Sequence, residues 1–183
     1  MNDQVNPSGR RMRVFDAEGT PLGADMMVPH GLDDPSNAGF ADAADAGMQY
    51  GHRIRCLHRS DGPDGISLCR MWLKQGFTTP RHRHDVDCLY YVLGGSVRAG
   101  NVELHEGEGL FVPAGTVYFL EAGTRGLEVL EFRSGSAFNV EYLRNTPGHW
   151  SKVIGAISGN VTVWQEQAEP AFCAPHGEET VDE

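Results

Sequence analysis

Two histidines stand two residues apart in the run Arg81-His82-Arg83-His84-Asp85-Val86-Asp87-Cys88. Side chains of an extended chain alternate faces, so His82, His84, Val86, Cys88 and Tyr90 fall on one side. Asp85, Asp87, Leu89 and Tyr91 fall on the other. Two imidazoles, a thiol and a phenol along one wall could hold a metal ion and handle protons beside it. Cys88 as a ligand thiolate would favour zinc or iron over magnesium or calcium. As a plain buried thiol it would act as a small apolar side chain. A turn at Asp85–Asp87 would break the alternation, so the register of Cys88 depends on what the chain does there. A bare His-x-His is equally compatible with a solvated pair at a strand start.

The elements around this run must therefore decide. From residue 49 to 143, short segments rich in β-branched and aromatic residues recur, among them "HRIRCLHR", "ISLCRMWLK", "CLYYVLG", "GLFVPAG" and "GLEVLEFRSG". Eight or nine such segments at even spacing, punctuated by Gly, Pro and Asp, predict an all-β antiparallel sandwich or barrel. Residues 1–48 form an N-terminal extension. Asp34 as N-cap, Pro35 as first helical residue and Gly47 as stop predict one short helix in it. Residues 144–183 form a C-terminal extension that packs on the barrel through Trp150, Val153, Ile154 and Trp164, with its last residues loose.

Composition narrows the partners. The 183-residue chain has a formal net charge of −10, which repels phosphate backbones and makes nucleic acid a poor partner. No apolar run is long enough to span a bilayer. No apolar stretch follows Arg10, Arg11 and Arg13, so a secretory signal is not expected and a cytoplasmic location is the default. The four cysteines, Cys56, Cys69, Cys88 and Cys173, show no Cys-x-x-Cys spacing and read as reduced thiols.

The stretch "GFTTPRHRHDVDCLYYVLGG" resembles the first motif of the cupin superfamily, with Gly76, His82, His84 and Gly95 on the pattern. "GEGLFVPAGTVY" resembles the second, with Gly107, Pro113 and Gly115 on it. The resemblance implies a cupin-type jelly-roll β-barrel, usually a homodimer, with a metal held in the barrel mouth by the motif histidines. Two ligand positions depart from the family: the motif glutamate falls on Cys88 and the second-motif histidine on Tyr118. The expected metal ligands are thus His82, His84 and Cys88, and the expected cofactor is one divalent transition metal (Fe, Zn, Ni or Mn). Tyr90 and Tyr118 are the expected proton-handling, catalytic groups. Glu131, on a late strand, could replace the missing carboxylate. Asp87 has the outward parity, and Arg55 or Arg70 could bind a substrate carboxylate if either points inward.

These residues predict a metal-dependent enzyme acting on a small organic substrate. Dioxygenase-type oxidoreductase chemistry is the leading form by analogy with other single-domain cupins. A lyase, isomerase or decarboxylase using Zn, Ni or Mn is one alternative. A non-catalytic small-molecule or metal-binding module is another.

Overall fold

The computed structural model describes residues 13–15, 20–21, 27–30, 34–60, 62, 65–143 and 145–167. Cys173, His176 and the tail expected to be loose lie outside them. Among the described residues, ten strands and two α-helices follow in the order β1 (Thr20–Pro21), β2 (Met27–His30), α1 (Asp34–Asp45), β3 (His52–Arg59), β4 (Ser67–Leu73), β5 (His82–Arg83), β6 (Cys88–Ala99), β7 (Val102–His105), β8 (Gly109–Val112), β9 (Glu121–Arg133), β10 (Phe138–Tyr142) and α2 (Pro147–Glu166). Gly47 ends α1 region in the left-handed conformation that its stop role requires, at φ 103°.

One seven-stranded sheet runs β1-β3-β4-β9-β6-β7, with β8 pairing β6, and a three-stranded sheet runs β2-β10-β5. Every pair in the large sheet is antiparallel. This is the all-β arrangement that the strand texture predicts. On β6 the alternation is clean at its start: Cys88, Tyr90 and Val92 are buried, while Leu89 and Tyr91 are exposed.

Two local features depart from a simple alternation of strands and turns. Gly95 does not end a strand: β6 runs through it as one twelve-residue element, and the register of its pairing with β9 shifts on either side. A bulge is the reason, since Gly95 sits at φ 77° and a Cβ there would lie 2.0 Å from the Gly126 carbonyl oxygen. The segment "TVYFL" forms no strand of its own. Tyr118 and His82 instead exchange backbone hydrogen bonds as an isolated bridge, at 3.0 Å in each direction.

The described part of the C-terminal extension is mainly the twenty-residue helix α2. The Thr146 hydroxyl accepts from the His149 N–H at 3.3 Å, and Pro147 occupies the first turn, a start signal readable in "NTPGHW". Gly148, Gly155 and Gly159 lower its intrinsic helicity, so packing must hold it. Trp150, Val153, Ile157 and Trp164 make the buried stripe. Lys74 donates to the Trp164 and Gln167 carbonyls at the helix end, placing a cation where the macrodipole favours one. Helix α1 lies against α2 with no room to spare, because a Cβ on Gly39 would overlap the Trp150 indole.

The Gly95 contact generates a stability test. Gly95→Ala should cost about 3 kcal/mol or more, combining left-handed strain with a backbone clash. Gly100→Ala, also at positive φ but facing open space, should cost about 1 kcal/mol. Urea unfolding of the two variants measures the difference; equal losses would leave the clash without energetic weight.

Candidate metal and proton-transfer site

The floor of the site is a ladder of cross-strand neighbours. Register pairs Tyr90 of β6 with Glu131 of β9, and Cys88 with Arg133. Glu131 faces Cys69 of β4 on its other side. Val129, Glu131 and Arg133 share one parity on β9, so a carboxylate and a guanidinium are carried to the inner face together. Both are buried.

The motif turn after β8 is tied to the histidine run by backbone bonds. Gly115 N–H donates to the His84 carbonyl at 2.8 Å, and Ala114 N–H donates to Asp87 Oδ1 at 2.8 Å. Asp87 is therefore a structural acceptor on the outer side, as its parity predicts, and takes no part in the site.

His82 and His84 are both buried, with ring centroids 5.0 Å apart. His82 Nδ1 donates to the Pro80 carbonyl at 2.8 Å, which leaves Nε2 with its lone pair. His84 Nδ1 lies 2.7 Å from the Asn139 carbonyl and also meets the Arg133 guanidinium. These contacts belong to two tautomers. A protonated Nδ1 donates to Asn139 and frees Nε2 as a ligand atom, whereas an unprotonated Nδ1 accepts from Arg133 and turns an Nε2–H toward Glu131, 3.7 Å away. Burial is the largest cause holding each imidazole down to about 4, so both are neutral at physiological pH.

Among the described residues, His84, Cys88 and Glu131 offer ligand atoms that all lie within 4.8 Å of one another. This donor set of nitrogen, sulfur and carboxylate oxygen fits a divalent transition ion. It differs from the set predicted from sequence: Glu131 joins, and His82 stands beside the group rather than in it. Burial, followed by the Glu131 charge, pushes the Cys88 thiol up to about 12. It would ligate only by giving up its proton to the ion.

The two tyrosines meet. Tyr90 donates to Glu131 Oε1 at 3.0 Å, and its hydroxyl is also bonded to that of Tyr118. With Tyr90's one proton on Glu131, Tyr118 must be the donor of the second bond. Burial first, and the Glu131 carboxylate second, push both phenols well above their usual range. Tyr90 also lines an apolar cavity together with His82, His84, Glu131 and Arg133, whereas Tyr118 lines an outer depression with Phe111 and Pro113. Tyr118 meets the site at the Tyr90 hydroxyl and beside the histidines, its ring centroid 4.5 Å from that of His82 and 6.1 Å from that of His84.

Arg133 is the residue that sequence reading missed. Its Nε lies 3.6 Å from Glu131 Oε1, and it donates to the Asn139 carbonyl at 3.0 Å. Its parity with Glu131 in "LEVLEFR" was the available signal. Arg70 instead pairs with Glu128, and neither it nor Arg55 lines the cavity.

The buried imidazoles make acid sensitivity testable on metal-stripped protein. Each takes up a proton more readily in the unfolded chain, near pH 6.5, than in the folded one, near pH 4. Stability is therefore fully present above pH 6.5 and lost as the pH falls toward 4. The urea midpoint should drop across that window, and the drop should be shallower in His82→Phe. An identical slope in the variant would remove His82 as a source.

No protein-family model and no curated protein matches this chain. Among solved structures, the polyketide cyclase RemF from Streptomyces resistomycificus is 21% identical, with 58% of this chain and 84% of that one covered at a TM-score of 0.48. A cupin superfamily protein from Desulfitobacterium hafniense is 17% identical over 45% and 75%, at 0.41. The DMSP lyase DddQ from Ruegeria pomeroyi is 22% identical over 46% and 47%, at 0.41. These are partial likenesses of strand arrangement and say nothing of activity. The His-x-His run before β6 and the Pro-x-Gly turn after β8 are joined by antiparallel pairing within an all-β architecture.

Proposed function

We propose that this chain is a metal-dependent enzyme that moves a proton on a small organic substrate, the work of a lyase or isomerase. Residues 49–143 form its catalytic unit, and the flanking helices α1 and α2 cover it. The observation that carries the reading is the clustering of His84, Cys88 and Glu131, with His84, Glu131 and the Tyr90 hydroxyl that donates to Glu131 at the wall of one cavity.

His84, Cys88 and Glu131 would hold the ion, which supplies a Lewis acid able to polarise a substrate carbonyl. The chain's own groups handle the proton. The Tyr90 oxygen takes a proton from the substrate as its own proton passes to Glu131 Oε1. Tyr118, donating to the same oxygen, steadies the negative charge that develops there. Because burial disfavours a free phenolate, the two transfers are coupled. Leu73, Phe77 and Leu120 line the cavity and limit water around these groups.

A second reading, dioxygenase-type oxidation, rests on the imidazole and thiol of His84 and Cys88, donors that suit iron as well as zinc. The homodimer implied by the family resemblance has a candidate face. Phe111, Leu89 and Phe132 are paired across β8, β6 and β9 and are exposed on the outer side of the sheet.

Metal analysis of protein purified without added metal should find about one equivalent of zinc, iron, nickel or manganese, with affinity at least tenfold weaker in His84→Ala and Cys88→Ala. A metal-free wild type would sink the metalloenzyme reading. Tyr90→Phe and Tyr118→Phe should keep the ion while slowing deuterium exchange beside the carbonyl of a cyclic ketone about a hundredfold. Oxygen consumption without such exchange would favour the dioxygenase. For the dimer, Leu89→Asp should halve the mass seen by light scattering, and an unchanged mass would move the interface elsewhere.

A further inference from the structure

The cavity holds about 280 Å³. That is nearly twice the roughly 150 Å³ apolar cavity that accepts one benzene ring, so a fused two-ring compound or a ring with a short side chain fits. Its body is built of Ile54, Met71, Leu73, Phe77, Leu120 and Val140. Phe40 of α1, Met48 and Tyr142 are half-buried lining residues and mark the mouth. Phe40 packs edge-on against Tyr142 at 4.5 Å and Trp150 at 5.0 Å, so the mouth is framed by aromatic edges.

The polar end differs from what a small organic acid would need. A carboxylate ligand wants a cation with donors to spare. Of the charged side chains lining this cavity, there is one cation, Arg133, and one anion, Glu131, and they are in contact. Arg133 further donates to the Asn139 carbonyl and meets His84. Glu131, 3.6 Å from Arg133 Nε, already balances that charge. An incoming carboxylate would be a second anion brought beside Glu131 and stripped of water in a mainly apolar cavity, which is costly. A hydroxyl asks only for an acceptor, which the Glu131 carboxylate and the Tyr90 oxygen supply.

We infer that the site is built for a neutral, mainly apolar ring compound of one or two rings that directs a single hydroxyl at Tyr90 and Glu131, and that it discriminates against carboxylates of the same size. The inference rests on the proposed function only in taking this cavity as the substrate site.

The test pairs a naphthol with the naphthoate of the same ring system, titrated by calorimetry into wild-type protein, metal-stripped and metal-loaded. The naphthol should bind about tenfold tighter or better in the stripped protein. Met48→Trp adds bulk at the half-buried mouth without reaching the polar floor and should weaken naphthol binding by a similar factor, with folding verified by its unfolding midpoint. Glu131→Gln should narrow the preference by freeing Arg133 for the carboxylate. Naphthoate binding as tightly as naphthol in the stripped wild type, no naphthol binding at millimolar concentration, or naphthol binding unaffected by Met48→Trp would each overturn the inference. Naphthol selectivity in a protein that never takes up metal would leave the inference standing while the metalloenzyme reading falls.

Discussion

The pairing of β6 with β9 is the constraint on which the site depends. It sets Tyr90 opposite Glu131 and Cys88 opposite Arg133, so four polar side chains on two strands arrive on one face at one level. A slip of one residue would turn all of them outward and present Leu89 and Phe132 to the interior instead. The register is pinned where Gly95 meets the Gly126 backbone, an approach that no side chain permits. A glycine contact some distance along the strand thereby determines which atoms face the cavity.

Burying a carboxylate and a guanidinium in a largely apolar core is unfavourable unless each finds partners. Here Glu131 is shared among Tyr90, Arg133 and the His84 side of the site, and Arg133 is shared among Glu131, His84 and Asn139. Removing one member of such a group leaves another buried charge uncompensated, which typically costs several kcal/mol. The network also makes the site selective in what it can do. Arg133 competes for the His84 nitrogen, so the tautomer that frees His84 Nε2 for an ion is the one in which Asn139 takes the Nδ1 proton.

The helices serve the same cavity from the other side. α2 is held by buried aromatic packing and by Lys74 at its end, and α1 is pressed against it through Gly39. Phe40 is thereby brought to the cavity mouth. The extensions on either side of the strands are part of the site's enclosure, which is the role a small β architecture leaves to whatever flanks it.

The local sequence determined a good deal by itself. Alternation placed Cys88 and Tyr90 on the buried face with the histidines, and turn chemistry at Gly76, Gly107 and Pro113–Gly115 marked the motif boundaries, because both signals act over two to four residues. Asp34, Pro35 and Gly47 bounded α1 for the same reason. Which carboxylate joins His84 and Cys88 was settled only by tertiary structure, since Glu131 lies more than forty residues away and its arrival depends on the β6–β9 register. Parity with Glu131 was all that the sequence offered for Arg133, and an alternating strand end reads the same whether its arginine points to water or into a core. The position of Tyr118 beside Tyr90 and the histidines, and the helix formed by a glycine-containing tail, were likewise decided by packing rather than by spacing. Periodicity says which residues share a face; only the folded sheet says which faces meet.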